Sequence, residues 1–185
     1  MTGQPGRRKT LSLRPGPRTL VVLLAVLAAF CLTSARLFVW PAEGAPAHAD
    51  AIVMLAGPGD RLGVALQLAA QRRAPVLVVS QGSHGYGGPC PPKTSDRTVI
   101  CFDPDPANTR GEAEFLGGLA ERYHWRSIVL VTTRAQVTRA RLLTGRCFGG
   151  SVYAATASLP WSDWLYQIAY GWGSLFKALT LYRAC

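Results

Sequence analysis

The chain has 185 residues, of which 49% are hydrophobic and 16% charged, and its formal net charge is +10. This length is enough for one ordinary domain and an anchor, but it is too short for two domains of normal size. No block of basic residues interleaves with aromatic residues, so we expect no nucleic-acid partner.

A long apolar segment lies near the N-terminus, at residues 19–40. Its length matches the roughly 20 residues that a helix needs to cross a bilayer core. Residues 1–18 are basic and contain no acid, which favours a cytoplasmic tail and an extracytoplasmic remainder. The alternative is a cleaved signal peptide, with residues 20–32 as its apolar region. We favour a single-pass anchor in the plasma membrane, and both interpretations place residue 42 onward outside the cytoplasm.

A short Pro/Ala/Gly linker at residues 41–48 leads to a predicted extracytoplasmic domain at residues 49–185. Apolar strands and amphipathic helices alternate along this domain. Strands are predicted at 51–55, 76–79, 127–131 and 151–154, and helices at 61–73, 109–123, 136–147 and 161–182. Residues 83–107 are predicted to form a long loop with one short apolar piece at 99–102.

This alternation predicts an α/β fold, a small Rossmann-like doubly wound parallel sheet with helices on both faces. In such folds, ligands bind beyond the carboxyl ends of the strands, where the strand order reverses. The sequence therefore predicts a site at this edge of the sheet.

Four cysteines lie in the predicted domain, and Cys31 lies in the apolar segment. Four cysteines allow three pairings, which sequence alone does not resolve. We predict Cys90 with Cys101, which flank a Pro-rich loop, and Cys147 with Cys185. The alternative is that some of them are free and buried. None has the CxxC spacing of a zinc or redox site, and we predict no metal site.

Glycines and an arginine follow the first predicted strand. The spacing of Gly57, Gly59 and Gly63 is not that of a dinucleotide fingerprint, and Pro58 lacks a backbone N–H. We therefore expect no NAD site, and the sequence identifies no other cofactor. A tight turn that presents helix N–H groups and Arg61 to an anion fits the pattern.

The predicted helix at 109–123 opens with the sequence Asn-Thr-Arg-Gly-Glu. Thr109 and Glu112 fit a capping box, and Asn108 is the other candidate N-cap. Capping does not account for Arg110, or for Asp103 and the neighbouring acid, Asp105, on the proline-spaced approach.

Polar side chains also follow the third predicted strand. Thr133, Arg134 and Arg139 combine a hydroxyl with guanidinium groups, which suits an anion or a carboxylate. The alternative is a solvated turn with Thr133 as an N-cap. No Ser-His-Asp set is recognisable, and His84 is the only histidine placed to reach this edge.

Together these pieces resemble the YdcF/SanA/ElyC-like family, also called the domain of unknown function 218, over about residues 49–155 and more loosely the final helix. The matching pieces are residues 49–53 with Gly57 and Arg61, then 74–75 leading to Ser80 and Gly82, then 108–112, and 131–133 running to 139–140. The resemblance implies a Rossmann-like domain, often tethered by one N-terminal membrane helix, with a role in bacterial envelope maintenance and a largely undefined activity.

The resemblance also implies which residues line the cleft: Asp50, Gly57, Arg61, Ser80, Gly82, Asn108, Thr109, Thr133 and Arg139. The family usually carries an acid before its Asn-Thr motif, and we assign that place, as acid/base, to Asp103 rather than Asp105. The chain departs from the family at Gln136, where a histidine is common, and at Ala113, where an asparagine is usual. Glutamine cannot act as a general base, so these departures favour binding over catalysis.

Three functions are consistent with these patterns. The first is an extracytoplasmic module that binds a small anionic envelope metabolite or precursor through Arg61, Arg110, Arg134 and Arg139. The second is a hydrolase or transferase acting on a phosphorylated envelope precursor, with Asp103 as acid/base. The third is a structural or partner-binding envelope protein whose final helix packs on the membrane or on another protein.

Overall fold

The computed structural model describes residues 16–82, 89–93 and 95–185. The chain divides into two compact units, Met1–Thr33 and Ser34–Cys185. The first 15 residues of the predicted basic tail, and His84 of the predicted loop, lie outside the described residues.

The N-terminal apolar segment is helical. Helix α1 (Pro17–Ser34) continues into a π-helical turn at Ala35–Val39. Pro17–Val39 is long and apolar enough to cross a membrane, a property that an anchor and a signal sequence share. Its apolar side chains are exposed, as Leu24 and Val26 show. The predicted bounds of 19–40 agree with this helix to within two residues.

The second unit contains a five-stranded, all-parallel sheet in the order β3-β2-β1-β4-β5. Its strands are β1 (Ala51–Met54), β2 (Val76–Ser80), β3 (Thr98–Phe102), β4 (Ser127–Thr133) and β5 (Ser151–Ala157). The predicted parallel α/β sheet is confirmed. The strand that the prediction missed is β3, which is an edge strand hidden in a Gly- and Pro-rich stretch. The order reverses between β1 and β4, so the switch point lies between these two central strands.

In the described part of this unit, the sheet is flanked by four α-helices: α2 (Arg61–Ala70), α3 (Thr109–Tyr123), α4 (Arg134–Cys147) and α5 (Trp164–Thr180), the last preceded by a 3₁₀ turn at Trp161–Asp163. Alternate residues of β1 show how they cover the sheet. Ile52 and Met54 pack with α2 residues, whereas Ala51 and Val53 pack with residues of α3 and α4. Helix α5 packs outside α3 and α4, through a cluster that contains Ala113, Leu143 and Ala178.

The compact domain begins earlier than residue 49. Phe38 is 2% exposed, and the Leu37 carbonyl accepts a hydrogen bond from Thr138 Oγ1 at 2.6 Å. Gly44 forms a β-bridge with Ala154. The segment at 34–48, assigned from sequence to the end of the membrane helix and to a linker, therefore packs on the domain. Its backbone groups find partners there, and a composition pattern cannot reveal such partners.

Both predicted disulfides are present, Cys90–Cys101 and Cys147–Cys185. The first joins the stretch at 89–93 to β3, and the second ties the C-terminus to the end of α4. Cys31 is free and exposed on α1.

Candidate functional site

A cleft of 860 Å³ lies at the carboxyl edge of the sheet, beside the switch point. The loop after β1, the start of α3, the first turns of α4 and one side of α5 form its walls. Its lining includes Gly57, Gly82, Asn108, Thr109, Arg110 and Arg139. Six of the residues predicted to bind a ligand therefore meet at one cleft, which is called the carboxyl-edge cleft below.

Arg61 lies beneath this cleft and is 2% exposed. Its guanidinium donates hydrogen bonds to the carbonyls of Leu55, Ala56 and Pro58, at 2.6–3.0 Å. Burial lowers the pKa of Arg61 to about 10, so the group stays charged at neutral pH. Arg61 was predicted to contact the ligand, but its donors are engaged by the loop after β1 and by Gln136. It supports the floor of the cleft instead.

Gly57 lines the cleft at a point where no larger residue fits. Its φ is +137°, and a Cβ at this position would lie 2.5 Å from the Arg61 guanidinium. A side chain would therefore clash with the buried arginine as well as strain the backbone. This backbone approach is the physical reason for the glycine after β1.

Glu112 is the buried carboxylate of the cleft, at 3% exposure. It accepts a hydrogen bond from the Ala56 N–H at 2.7 Å. Burial raises the pKa of Glu112, and the Ala56 N–H, the Ser80 hydroxyl and the charges of Arg61 and Arg139 offset only part of that rise. The Ser80 hydroxyl is fully buried. It lies close enough to Glu112 to lower its pKa, but not in the geometry of a regular hydrogen bond.

The predicted capping box is wrong, and the alternative N-cap is confirmed. Asn108 Oδ1 accepts hydrogen bonds from the N–H groups of Arg110, at 2.9 Å, and Gly111, at 3.4 Å. Glu112 turns away from the helix start toward Ala56. The Asn108 side chain occupies two of the N–H groups at the start of α3, so an anion in the cleft would meet side chains first.

Three cationic side chains line the cleft. Arg139 donates to Tyr170 Oη at 3.3 Å and stacks over the Tyr170 ring at 5.3 Å. Arg110 pairs with Glu114 at 2.7 Å. Lys177 Nζ lies 5.1 Å from the centroid of the Tyr182 ring. Sequence reasoning missed Lys177 because the register of the final helix against the cleft is set only by its packing.

Gln136 links the buried Arg61 to the half-buried Arg139. Its Oε1 accepts from Arg61 at 3.2 Å and from Arg139 at 3.4 Å, and its Nε2 donates to Gln167 at 3.5 Å. Since an amide does not titrate, this bridge keeps its hydrogen bonds at any pH near neutral.

Asp50 lies at the opposite edge of the sheet, which corrects its predicted place in the cleft. Its Oδ2 accepts from the N–H groups of Arg126 and Ser127, both at 2.8 Å, and from Ser127 Oγ at 3.0 Å. Burial raises the pKa of Asp50, but these hydrogen bonds outweigh it and the net pKa is lowered. Because Asp50 precedes β1, it stands at the amino ends of the strands.

The three other predicted site residues do not line the cleft. Asp103 is exposed, whereas the next residue, Pro104, does line it. Thr133 is fully buried at the end of β4, with its methyl group toward Gly59. Arg134 is exposed and pairs with Glu43 at 2.7 Å. Of the acids considered, the cleft holds Glu112 rather than Asp103.

Within residues 16–82, 89–93 and 95–185, no three His, Cys, Asp or Glu side chains lie close enough together to form a metal-binding group. No family model, no curated protein and no solved structure matches the chain.

Proposed function

We propose that the chain is a membrane-anchored extracytoplasmic protein that binds an anionic envelope metabolite or precursor in the carboxyl-edge cleft. The observation that carries this proposal is the set of cations on the cleft wall, Arg110, Arg139 and Lys177. The buried Arg61 adds a fourth positive charge behind the floor.

The charges of two of these residues are available to a ligand. In the part of the chain that the structure describes, no carboxylate lies within ion-pair distance of Arg139 or Lys177. The planar guanidinium of Arg139 can bind a phosphate or carboxylate through two hydrogen bonds, and Lys177 adds a point charge. This arrangement favours a dianion over a neutral ligand.

Aromatic side chains line the same cleft. Tyr166, Tyr170 and Tyr182 contribute rings, and Tyr166 and Tyr170 stack with their centroids 6.0 Å apart. Apolar walls with a few charged groups are typical of small-molecule sites, whose volumes are about 300–1,000 Å³. A phosphorylated metabolite with a ring or sugar part fits this combination.

The envelope setting rests on three supports. Disulfides form in oxidising compartments outside the cytoplasm, and this domain has two. A helix long enough to span a membrane precedes the domain. The resemblance to the YdcF/SanA/ElyC-like family adds the role in envelope maintenance.

A second candidate function is a hydrolase or transferase acting on a phosphorylated envelope precursor. The observation that favours it is Glu112, an acid buried in the cleft wall whose pKa burial raises. A carboxyl group with a raised pKa holds its proton nearer to neutral pH and can protonate a leaving group. In this candidate, Glu112 takes the role that the sequence assigned to Asp103.

The test is a binding measurement on the full chain in detergent, with pyrophosphate and sugar phosphates as probes. Arg139→Gln should weaken binding roughly ten- to a hundredfold, as the loss of a charge-assisted hydrogen bond implies. Arg134→Gln is the matched control because it removes the same charge from the same edge of the sheet, outside the cleft. Equal effects of both variants, or no binding of any probe, would contradict the proposal.

The pH dependence of binding is measured with sulfate, which stays a dianion from pH 4.5 to 9. Any change of sulfate affinity in this range therefore comes from the titration of the protein. Glu112 repels an anion only when it is ionised. Sulfate affinity should therefore fall as the pH rises through the Glu112 pKa, and Glu112→Gln should remove this fall. Turnover of a sugar phosphate that is lost in Glu112→Gln, with binding retained, would favour the enzyme.

A further inference from the structure

Helix α5 carries an apolar stripe whose residues are exposed in the described domain, except for one tryptophan that is half-buried. The stripe consists of Leu165, Ala169, Trp172, Phe176 and Leu179, whose spacings of four and three residues place them along one face of the helix. Leu165 is 85% exposed, Phe176 69% and Leu179 51%. Trp161, in the turn before the helix, is 91% exposed and extends the apolar surface. The stripe contains no charged residue.

The stripe is tied to the place where the apolar N-terminal helix ends. Trp172 Nε1 donates a hydrogen bond to Ser34 Oγ at 3.0 Å, and Ser34 follows directly on Thr33, the last residue of the apolar unit. Phe38 packs edge-on against Trp172 with 5.5 Å between the ring centroids. If residues 17–33 cross a membrane, chain connectivity alone holds the middle of α5 at the bilayer surface.

We propose that the α5 stripe docks on the lipid bilayer, with α5 in the interfacial plane beside the end of the membrane span. Interfacial helices bury Trp, Phe and Leu about 5–10 Å into the headgroup region and keep basic residues on their polar face. Lys177, on the cleft side of α5, and the nearby Arg139 supply that basic face. The polar side of α5 lines the carboxyl-edge cleft, so this placement puts the cleft beside the lipid headgroups.

A second copy of the chain is the competing occupant, and the sequence of α5 argues against it. The stripe covers about two heptads, whereas a stable coiled coil needs three or four. The positions that flank the stripe are Tyr166, Gly173 and Thr180 on one side and Ile168 and Leu175 on the other. None is charged, so the flanking ion pairs that select a partner helix are lacking.

The test uses the full chain, reconstituted at one copy per lipid nanodisc, with an environment-sensitive fluorophore on a single introduced cysteine. The background is Cys31→Ser, with both disulfides kept oxidised. Labels replace Leu165 or Phe176 on the stripe, Glu121 on the exposed side of α3, and Leu24 in the candidate span. Nitroxide lipids, shallow or deep, serve as quenchers, and circular dichroism checks that each variant is folded.

We expect the emission maximum of labels at Leu165 and Phe176 to shift to the blue, and the shallow nitroxide to quench most of their emission. The label at Glu121 should do neither. This proposal rests on the proposed membrane anchor, and the label at Leu24 tests that anchor separately, through the deep nitroxide. A quenched Leu24 with an unquenched stripe overturns the docking alone, whereas an unquenched Leu24 overturns the anchor and the docking with it. Protection of the stripe only in nanodiscs that hold two copies would assign it to a second chain.

Discussion

Two carboxylates, one at each edge of the sheet, accept hydrogen bonds from backbone N–H groups, and yet their pKa values are shifted in opposite directions. Asp50, at the amino edge, accepts three hydrogen bonds and its pKa is lowered. Glu112, at the carboxyl edge, accepts one from the Ala56 N–H and its pKa is raised. The difference lies in the balance between the donors and burial, since Asp50 is half-buried and Glu112 is almost inaccessible.

This contrast is the one expected between a structural carboxylate and a candidate functional one. Asp50 joins the start of β4 to the start of β1, and its charge is stabilised where it stands. Glu112 retains a charge that its surroundings compensate only partly, in the wall of a cleft. Uncompensated charge at a concave site is a common mark of function, whereas a fully bonded charge is more often structural. Substitutions at both edges of the sheet test this distinction, and their expected effects range from several kcal/mol to a few tenths.

The largest effect is expected at Arg61, which partly compensates Glu112. Arg61→Met should destabilise the protein by about 3–5 kcal/mol, because it leaves the carbonyls of the loop after β1 without their donor and removes the buried positive charge that offsets the Glu112 carboxylate. Urea unfolding in detergent, followed by near-ultraviolet circular dichroism, measures this loss. Arg61→Lys keeps the charge but not the planar set of guanidinium donors, so its loss of unfolding free energy should be smaller. A loss below about 1 kcal/mol in Arg61→Met would mean that the guanidinium does not hold the loop.

The next effect is expected at the amino edge. Asp50→Ala should destabilise the protein by about 1–3 kcal/mol, since the N–H groups of Arg126 and Ser127 lose their acceptor. Asp50→Asn can keep an acceptor in place and should lose less. Because the folded pKa is lowered, Asp50 stabilises the protein above pH 3.8, and this contribution is lost as the pH falls through the folded pKa. Both variants should flatten the acid limb of a plot of unfolding free energy against pH.

Glu112→Gln should have a smaller effect, with the opposite dependence on pH. Below pH 4.5, Glu112 is protonated in both the folded and unfolded states and contributes no pH dependence. As the pH rises through the raised folded pKa, the wild type loses stability because the unfolded chain ionises first. Glutamine keeps an acceptor for the Ala56 N–H and does not titrate. The variant should therefore become more stable relative to the wild type as the pH rises. If the variant were instead more stable than the wild type only at acidic pH, the folded pKa of Glu112 would be lowered rather than raised.

The smallest effect is expected at an exposed pair on the same edge. Glu43→Gln breaks the ion pair with Arg134, whose side chain is 49% exposed. The change in unfolding free energy should stay within about 0.5 kcal/mol and shrink with added salt, because water and ions screen exposed pairs. Measurements at low and high salt check this. An effect as large as that of Arg61→Met would remove the distinction between buried and exposed charge at this edge.

Local patterns were enough to predict most of the fold. The apolar runs at β1, β2 and β4 are buried on both sides in a parallel sheet, so a continuous run is a sufficient signal. The bounds of α3 were predicted without error, since Asn108 and the polar turn before it mark its start. β3 was missed because a half-covered edge strand needs few apolar residues, and Pro and Gly on both sides of it mask the signal.

The sequence by itself determined the alternation of apolar strands with helices, except at β3, and the edge of the sheet at which the cleft lies. Chain order and the hydrophobic period settle these features before any contact forms. Only the tertiary structure decided which side chains reach the cleft. It placed Asp50 at the opposite edge, Arg61 beneath the floor and Lys177 on the wall. Each of these places depends on contacts between residues far apart in the chain, such as Glu112 with Ala56 or Gln136 with Arg61, and no local pattern encodes them.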